Sequence, residues 1–436
     1  MKRFLLARNT RLAITSLISV CVILLCWLIS PVLPILGQPP SQVFDEVWKT
    51  VNDNFYDQNF NGVDWKALRS KYEPQVKQAQ SSEAVALLVN QMLSELKTSH
   101  THFYIPNEPA YYQILGIFQP RIPDLQKQLK KFFPNDKIEY SGIGIFTKDI
   151  NGKTFISAIL DGSPAAEAGL KAGDQLLSVE GRPFQAIQSF AGKAGQKVTL
   201  LIQRSRSVSA GESPNSDSQQ KIIVTPKLLD ATTMFLDAQK ASTQVIERGG
   251  KKIGYVHIWS YAGDQYHQQL EEDLLYGRLK DADSLVVDLR EGWGGTPASV
   301  LNIYTGRGPS ITNIQRNGRQ YTSESHWKKP VVMLVNEGSR SAKEVLAYAF
   351  EQYKIGPVVG SKTAGAVVAG RPFLMSDGSI LYVAVADVYV DGNQRLEGKG
   401  VTPDVVVPRP LEYAQGEDPQ KERSIEVALE TVKQSR

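Results

Sequence analysis

The chain has 436 residues, more than one compact domain usually holds, so roughly two or three domains are expected. Hydrophobic and charged fractions of 42% and 22% are ordinary for a globular protein, and a net charge of +4 is small for this length. No basic stretch is interleaved with aromatic residues, which argues against nucleic acid as a partner. Both cysteines, Cys21 and Cys26, lie near the N-terminus, so the remaining chain has neither a disulfide framework nor a cysteine nucleophile.

Residues 1–37 have the pattern of an export segment. An uncharged run from Leu12 to Leu36 follows four basic residues, Lys2, Arg3, Arg8 and Arg11. The run is long enough to span a bilayer, and its positive flank is typical of the cytoplasmic side. No clean cleavage site follows, so this segment is predicted to be either a signal peptide or a membrane anchor. In both cases the body is exported, to a periplasm, a lumen or the extracellular space.

Residues 41–135 are predicted to form a helical region. In FDEVWKTVNDNFY, apolar residues from Phe44 to Phe55 recur at i, i+3 and i+4. SSEAVALLVNQMLSEL begins with a serine that can cap a helix and keeps the same period to Leu96. The following segment, TSHTHFYIP, is rich in β-formers and is predicted to be a turn leading into a strand.

Residues 138–228 are predicted to form a small β domain. SGIGIF and TFISAIL are strand-like, and the turn DGSPAAEAG contains Ser163 as the cap of a short helix that begins at Pro164. The serine-rich residues 204–221 are predicted to form a flexible hairpin loop.

Residues 240–412 alternate predicted strands with predicted helices, and residues 413–436 are predicted to form a C-terminal helix. The strands are IGYVHI, SLVVDL, VVMLV, GPVVG, LYVAVADVYV and DVVV, and the helices are DQYHQQLEEDLLYGRL and SAKEVLAYAFEQY. Near-continuous Val, Ile and Leu runs between helices predict a sheet that is buried on both faces.

Ser341 lies in the turn between the strand VVMLV and its helix. A serine in this place is often only an N-cap. A strand-to-helix junction also leaves backbone N–H groups free, which suits a nucleophilic serine. The residue alone leaves both interpretations open.

The β domain resembles a PDZ domain. SGIGI matches the loop that receives a peptide's C-terminal carboxylate, and GSPAAEAGLKAGDQLLSVEG is close to the pattern G-S-P-A-x-x-A-G-L-x-x-G-D-x-I. The resemblance implies that the C-termini of proteins or peptides bind here while the peptide adds to a sheet edge. The binding residues it implies are Gly142, Ile143, Gly144 and Ile145.

Three later segments resemble motifs of the C-terminal processing (tail-specific) serine peptidases and their tricorn-like relatives. They are VDLREGWGGT, similar to D-L-R-x-N-x-G-G; NEGSRSAKEV, similar to N-x-x-S-A-S-A-S-E-I; and GSKTAGA, similar to G-x-x-T-x-G-K. Together with the other units, the resemblance covers nearly all residues after the leader. It implies a multidomain fold of α+β and α/β type, with an N-terminal helical region, a PDZ-like β domain and an α/β, crotonase-like peptidase core.

The resemblance implies that Ser341 is the nucleophile and that the oxyanion hole consists of the N–H of Ala342 with that of Gly294 or Gly295. In lysine-dependent members the general base falls on Ala366, and alanine cannot accept a proton. Asp288 and Arg290 are interpreted as structural residues that orient the glycine loop, which is the segment EGWGG of the motif VDLREGWGGT. Glu344 is interpreted as a cap or brace of the helix that follows Ser341.

A different base is implied by LKTSHTHF, which resembles the L-x-D-x-H-T-x-[FY] segment of histidine-using members. The match places the base at His100, while Thr98 stands where that pattern has aspartate. Glu397, in the closing segment LEGKGVTPD, would orient the histidine ring. Lys362 and Lys343 remain alternative bases, since a lysine serves only when burial lowers its pKa.

We therefore expect an exported serine endopeptidase that recognises protein C-termini through its PDZ domain and cleaves near them with Ser341, His100 and Glu397. No cofactor or metal is expected, because the five histidines form no HExxH pair. The alternative is a PDZ scaffold that binds C-termini but is inactive, which Ala366 favours.

Overall fold

The computed structural model describes residues 39–205, 219–306 and 308–434. The predicted export segment lies outside these ranges, as does most of the predicted hairpin loop. Within the described ranges, no helix combines the length and the apolar character that crossing a bilayer requires.

The N-terminal part is helical, as predicted. It contains α1 (Pro40–Asn54), α2 (Trp65–Val76), α3 (Ser82–Ser94), a short strand β1 (His102–Tyr104), α4 (Pro109–Phe118) and α5 (Pro123–Leu129). Two of these helices begin at side-chain caps, where Asp64 accepts the N–H of Ala67 and Ser81 accepts the N–H of Ala84.

The PDZ-like domain is an antiparallel five-stranded sheet. Its strands follow the order β3 (Ile145–Ile150), β4 (Lys153–Ile159), β5 (Gln175–Val179), β6 (Val198–Gln203) and β7 (Gln219–Val224). As predicted, Ser163 caps the short helix α6 (Pro164–Glu167) through the N–H of Ala166. A two-stranded ribbon of β2 (Glu139–Gly142) and β8 (Lys227–Asp230) flanks the domain.

The core is a six-stranded sheet in the order β20-β15-β14-β11-β10-β9, parallel except for β9. The strands are β9 (Gln244–Arg248), β10 (Lys251–His257), β11 (Ser284–Asp288), β14 (Val331–Val335), β15 (Val358–Gly360) and β20 (Val405–Val406). The core helices are α7 (Met234–Ser242), α8 (Asp264–Leu275), α9 (Asn302–Thr305), α10 (Ala342–Gln352) and α11 (Pro419–Gln434). Leu285 and Val287 of β11 pack with α8 and α10, whereas Val286 packs with α11. The sheet is therefore buried on both faces, as predicted.

One predicted strand does not join this sheet, and that expectation was wrong. Within LYVAVADVYV, residues 381–386 belong to β17 (Ile380–Ala386), which lies between β16 (Ala369–Leu374) and β1 in a separate antiparallel sheet, and the last two residues form β18 (Tyr389–Val390). Leu381 and Val383 face the core of helices α1–α3, whereas Ile380 and Tyr382 face α4 and α5. Both faces of β17 are buried, so its apolar run resembles that of a central parallel strand. The shorter strands form two hairpins, β12 (Ile311–Ile314) with β13 (Gln320–Ser323) and β18 (Tyr389–Val390) with β19 (Gln394–Arg395).

The pairing of β1 with β17 joins the helical region to the core. His102 lies opposite Tyr382, and the N–H of Ala384 donates to the Thr101 hydroxyl at 3.2 Å. Helices α1–α3 share a hydrophobic cluster with residues of β17. Residues 98–100, which precede β1, are thereby held against the core.

Candidate active site

Ser341 lies at the carboxyl end of β14, in the turn that leads into α10. Its neighbour in the sheet, β11, ends in the glycine loop, so the two segments meet at the edge where α/β sheets bind ligands. Ser341 has φ 60° and ψ −131°, a strained conformation for a residue other than glycine. Its N–H donates to the carbonyl oxygen of Ala366 at 2.8 Å and to Oε2 of Glu344 at 3.2 Å. These bonds fix the turn.

The first turn of α10 begins with a capping box of Ser341 and Glu344, and the N–H of Glu344 also donates to the Ser341 carbonyl oxygen at 2.9 Å. The buried Glu344 carboxylate accepts from the Thr363 hydroxyl at 2.6 Å and from the N–H groups of Gly365 at 2.6 Å and Ala366 at 2.7 Å. Burial raises the pKa of Glu344, although these donors oppose the shift. Glu344 thus ties the helix to residues 363–366.

Gly294 lies so close to the Ser341 turn that no other residue fits there. A Cβ at position 294 would lie 2.8 Å from the Ala342 nitrogen and 2.8 Å from the Ser341 Cβ. Gly295 has φ 102°, which also favours glycine. The N–H groups of Gly294, Gly295 and Ala342 donate no hydrogen bond to any residue in the described ranges. Backbone donors are thus available beside the serine, where an oxyanion would form.

Two buried side chains, those of Lys343 and His257, contact backbone carbonyl oxygens of the glycine loop and of the residues beside it. The Lys343 ammonium donates to the carbonyl oxygens of Glu291 at 2.6 Å and Trp259 at 3.3 Å. The His257 Nε2 lies 2.9 Å from the carbonyl oxygen of Arg290. Burial lowers the pKa of Lys343 to about 7, but its donors are used by these carbonyl groups. The motifs had assigned no such role to Lys343.

Asp288 and Arg290 form a buried ion pair at the base of the same loop. The Arg290 Nη2 lies 2.7 Å from Asp288 Oδ2 and 2.7 Å from Asp418 Oδ2, and the Tyr255 hydroxyl donates to Asp288 at 2.7 Å. This geometry agrees with the structural role expected for Asp288 and Arg290.

His100 is buried, with 7% of its surface exposed, and it has φ 56°. Its Nδ1 lies 2.8 Å from the Ser99 hydroxyl, and that hydroxyl donates to Oε2 of Glu397 at 2.9 Å. A hydroxyl has one hydrogen, so Ser99 accepts from Nδ1–H when it donates to the carboxylate. The Nε2 of the neutral ring is then unprotonated, which is the form that a base requires.

The Glu397 carboxylate reaches His100 through Ser99 and not directly. It also accepts from the N–H of Ser99 at 2.8 Å, the N–H of Val367 at 2.6 Å and the Thr98 hydroxyl at 3.4 Å. Ser99 is therefore a site residue that the motif comparison missed. The available signal was its position, since it directly precedes His100 and carries a hydroxyl.

Ser341 and His100 line one cavity of about 230 Å³, together with Gly294 and Gly295. Within the described part of the chain, no hydrogen bond joins the His100 ring to the Ser341 hydroxyl, a bond that often tightens only with substrate. Burial, and then the positive charge of Arg340, lower the pKa of His100 to about 3, so the ring is neutral near pH 7.

His102 belongs to different surroundings, with its Nε2 4.0 Å from Glu108. Burial, followed by the charge of Arg340, lowers the pKa of His102 to about 4. Lys362, the other alternative base, is exposed. The residues described here contain no group of three or more His, Cys, Asp or Glu side chains that could hold a metal ion.

A second, larger cavity of about 620 Å³ adjoins the site. Ala366 and Arg340 line it together with the four residues of the predicted carboxylate loop, Gly142, Ile143, Gly144 and Ile145. Gly144 has φ 77°, and the N–H groups of Ile143 and Gly144 donate to no other described residue. The structure thus brings the PDZ loop and the Ser341 turn to one cavity.

Known proteins match this chain in three segments. Residues 252–407 match peptidase family S41, residues 38–94 match the tricorn protease C1 domain, and residues 155–204 match a PDZ domain. A carboxyl-terminal-processing protease of Synechocystis sp. is 28% identical over 386 residues, which is 84% of this chain and 80% of that protein.

The tricorn proteins are longer relatives. Putative tricorn protease homolog 2 of Streptomyces coelicolor is 28% identical over 90% of this chain, but the chain spans 32% of that protein. The crystal structure of the tricorn protease matches with a TM-score of 0.51 at 18% identity, over 91% of this chain and 37% of the other, which is a likeness of fold.

These matches confirm the predicted fold class and the predicted resemblance to C-terminal processing peptidases. The S41 segment contains β11, β14, β15 and β20 of the sheet, the glycine loop and the Ser341 turn, and the PDZ segment lies in the five-stranded domain that adjoins them. The chain is thus similar to the C-terminal processing serine peptidases of family S41, and residues 155–204 are similar to a PDZ domain.

Proposed function

We propose that this protein is an active serine endopeptidase in which Ser341 is the nucleophile, His100 the general base, and Ser99 with Glu397 the group that orients the base. The series of contacts from Glu397 through Ser99 to His100 carries the proposal, because it ends at the cavity that also contains Ser341. Ala366 stands where lysine-dependent relatives have their base. In this proposal His100 accepts the proton of Ser341 instead.

In the proposed reaction, the Ser341 Oγ attacks the substrate carbonyl carbon while Nε2 of His100 takes the hydroxyl proton. The oxygen of the tetrahedral intermediate accepts hydrogen bonds from the N–H of Ala342 and of the glycine loop, and each such donor is worth about 2.7–4 kcal/mol. The imidazolium gives its proton to the leaving amine. Water, activated by the same histidine, then hydrolyses the acyl-enzyme.

Ser99 gives Glu397 its effect on the base. In the ground state the Ser99 hydroxyl fixes the Nδ1–H tautomer, and in the transition state it connects the imidazolium to the carboxylate. Charge-assisted hydrogen bonds of this kind are about twice as strong as neutral ones. Ser99 and Glu397 are therefore positioning residues, while Ser341 and His100 react.

The substrate is proposed to be a protein whose C-terminus binds at the PDZ loop. Support comes from the cavity of about 620 Å³, which contains both this loop and residues that flank Ser341. Free N–H groups at Ile143 and Gly144 suit a terminal carboxylate. A peptide held there has its preceding residues close to the serine, so cleavage falls near the bound end.

Export is proposed from the positive flank and the apolar run within residues 1–37. Cell fractionation, with the intact mass of the protein recovered, tests this proposal. A full-length mass in the membrane fraction indicates an anchor, and a mass lacking the leader in the exported soluble fraction indicates a cleaved signal peptide. Recovery from the cytoplasm would contradict export.

The decisive test of the active site is labelling with a fluorophosphonate, which reacts only with an activated serine. We expect the native protein to be labelled at Ser341, Ser341→Ala to be unlabelled, and His100→Ala to be labelled about 100-fold or more slowly. His102→Ala is the matched control, since that ring is two residues away but in other surroundings, and it should stay within about threefold of native.

The same experiment separates the alternatives. Slow labelling of Lys343→Met, with normal labelling of His100→Ala, would move the base to Lys343. A folded protein that binds peptide C-termini but takes up no label would be the inactive PDZ scaffold.

A further inference from the structure

Arg340 directly precedes the nucleophile, at a position where the related motif N-x-x-S-A-S-A-S-E-I has alanine. Its side chain is half-buried, and its guanidinium carbon lies 5.3 Å from the centre of the Trp293 ring. The guanidinium forms neither a hydrogen bond nor an ion pair with any residue that the structure describes. A cation sheltered from water in this way normally has an anionic partner.

Three other sheltered arginines have such partners, whereas the half-buried Arg409 donates, within the described residues, only to the carbonyl oxygen of Ser157, at 3.3 Å. Arg290 pairs with Asp288 at 2.7 Å, Arg204 with Asp174 at 2.8 Å and Arg395 with Asp387 at 3.0 Å. Arg340 differs from Arg409 in that it lies directly beside the nucleophile, where its guanidinium is available to a carboxylate from outside the described chain.

The cavity around Ser341 points to the same kind of partner. Arg340 lines it together with a second arginine, Arg121, and no aspartate or glutamate occurs among the described residues that line it. The remaining wall is largely apolar, with Ile117, Phe118 and Val368. An apolar cavity with two guanidinium groups and no internal carboxylate favours an anionic ligand, and planar guanidinium groups match carboxylates in particular.

Arg340 also connects the two cavities, because it lines both the one at Ser341 and the one that contains the PDZ loop. A peptide running from the PDZ loop to the nucleophile passes this guanidinium. Its charge is felt at the reacting residues, since it adds to burial in lowering the pKa of His100.

We infer that Arg340 determines specificity by binding a substrate carboxylate within about two residues of the scissile bond, with Arg121 as a second cationic contact. The inference rests on the proposed function in that the bond is cleaved at Ser341. The carboxylate is either an Asp or Glu side chain or the free C-terminus of the peptide. Arg340 is not a reacting group in this scheme.

The test uses internally quenched peptides with a C-terminal amide that carry Glu or Gln at one position, scanned over two residues on each side of the cleaved bond. For the native protein we expect kcat/KM to favour Glu over Gln by about 10- to 100-fold at one position. Neutral peptides with a free C-terminal carboxylate form the second arm. A preference confined to that arm identifies the terminal carboxylate as the ligand.

Arg340→Gln should reduce the preference, measured as the ratio of kcat/KM between the Glu- and Gln-containing peptides, to below about threefold. Arg340→Lys should retain part of it, because lysine is a point charge and not a planar fork. Arg371→Gln is the matched control: Arg371 also stacks on an aromatic ring, at 5.3 Å from Phe373, but it is exposed and lines neither cavity.

Binding measured by fluorescence anisotropy with Ser341→Ala keeps this inference separate from the proposed function. Tighter binding of the carboxylate peptide by Ser341→Ala, and its loss in Ser341→Ala/Arg340→Gln, would support the inference. If the native protein nevertheless cleaved no peptide, only the peptidase proposal would be refuted. Equal cleavage and equal binding of both peptides, with or without Arg340, would overturn the inference and leave the peptidase intact.

Discussion

Replacing Ser99 by alanine removes the one hydroxyl that connects Glu397 to His100. It deletes the 2.8 Å contact with Nδ1 and the 2.9 Å bond to the carboxylate, while the N–H of Ser99 keeps its own 2.8 Å bond to Glu397. The backbone of the segment therefore stays anchored. The Nδ1–H is left without its partner in surroundings where 7% of His100 is exposed.

The expected magnitude follows from that burial. An unsatisfied buried donor costs about 1–3 kcal/mol, and each 1.36 kcal/mol on the barrier is a tenfold change in rate. We expect kcat for a quenched peptide to fall by about 10- to 100-fold with KM nearly unchanged, because Ser99 does not line the cavity that contains Ser341. Fluorophosphonate labelling of Ser341 should slow by a similar factor.

Thr98→Ala is the matched control. The Thr98 hydroxyl also donates to Glu397, but at 3.4 Å, and it does not contact His100. Its removal should change kcat by less than about threefold, and Ser99→Thr, which keeps a hydroxyl, should recover part of the loss. Equal effects of Thr98→Ala and Ser99→Ala, or a kcat of Ser99→Ala within about twofold of native, would refute the reasoning.

Three further predictions concern the oxyanion donors, the base and acid stability. Gly294→Ala should abolish labelling of Ser341 and lower the melting temperature, because the added methyl collides with the Ala342 nitrogen at 2.8 Å and the turn must shift. Unchanged labelling would exclude the glycine loop from the site. The rate of Ser341 labelling should fall at acid pH, because a base works only above its pKa, and burial with the charge of Arg340 holds the pKa of His100 near 3. Arg340→Gln removes that charge, so the pKa of His100 should rise and the fall in labelling should move to higher pH. A move to lower pH would contradict this. Urea denaturation should show stability falling from pH 6.5 towards pH 3, because neutral His100 and His102 have lowered pKa values of about 3 and 4 in the fold and the unfolded chain binds more protons. For the buried His100 the slope is at most about 1.4 kcal/mol per pH unit. His102 contributes less, because 42% of its side chain is exposed, and His102→Gln should make the slope slightly shallower.

Much of the fold could be predicted because its elements obey local rules. The spacing of apolar residues marks α1 and α3, and the sequence Ser163-Pro164 marks the start of a capped helix. Local rules failed at β17, where a run of apolar residues indicates burial on two faces but not which sheet provides it. Two different cores bury those faces, and that arrangement depends on the fold of the helical region.

Site residues that belong to a sequence motif could be predicted from the residues next to them. Site residues that depend on contacts between distant segments could not. Ser99 contacts Glu397 across 298 residues, and its role depends on the hydrogen-bond directions around one hydroxyl. Lys343, in the first turn of a helix, has the pattern of a surface residue, yet two carbonyl oxygens hold its ammonium in the interior. Such contacts follow from three-dimensional packing, which spacing along the chain does not encode.

The contact between Ser99 and Glu397 has a consequence for the timing of activity. Because Ser99 and Glu397 are 298 positions apart, a chain that is still being synthesised contains Ser99, His100 and then Ser341 before it contains the carboxylate. On the proposed mechanism, such a chain has a serine without an oriented base. Full activity thus begins only once the segment that carries Glu397 has docked, so an incomplete copy cleaves itself and its neighbours more slowly.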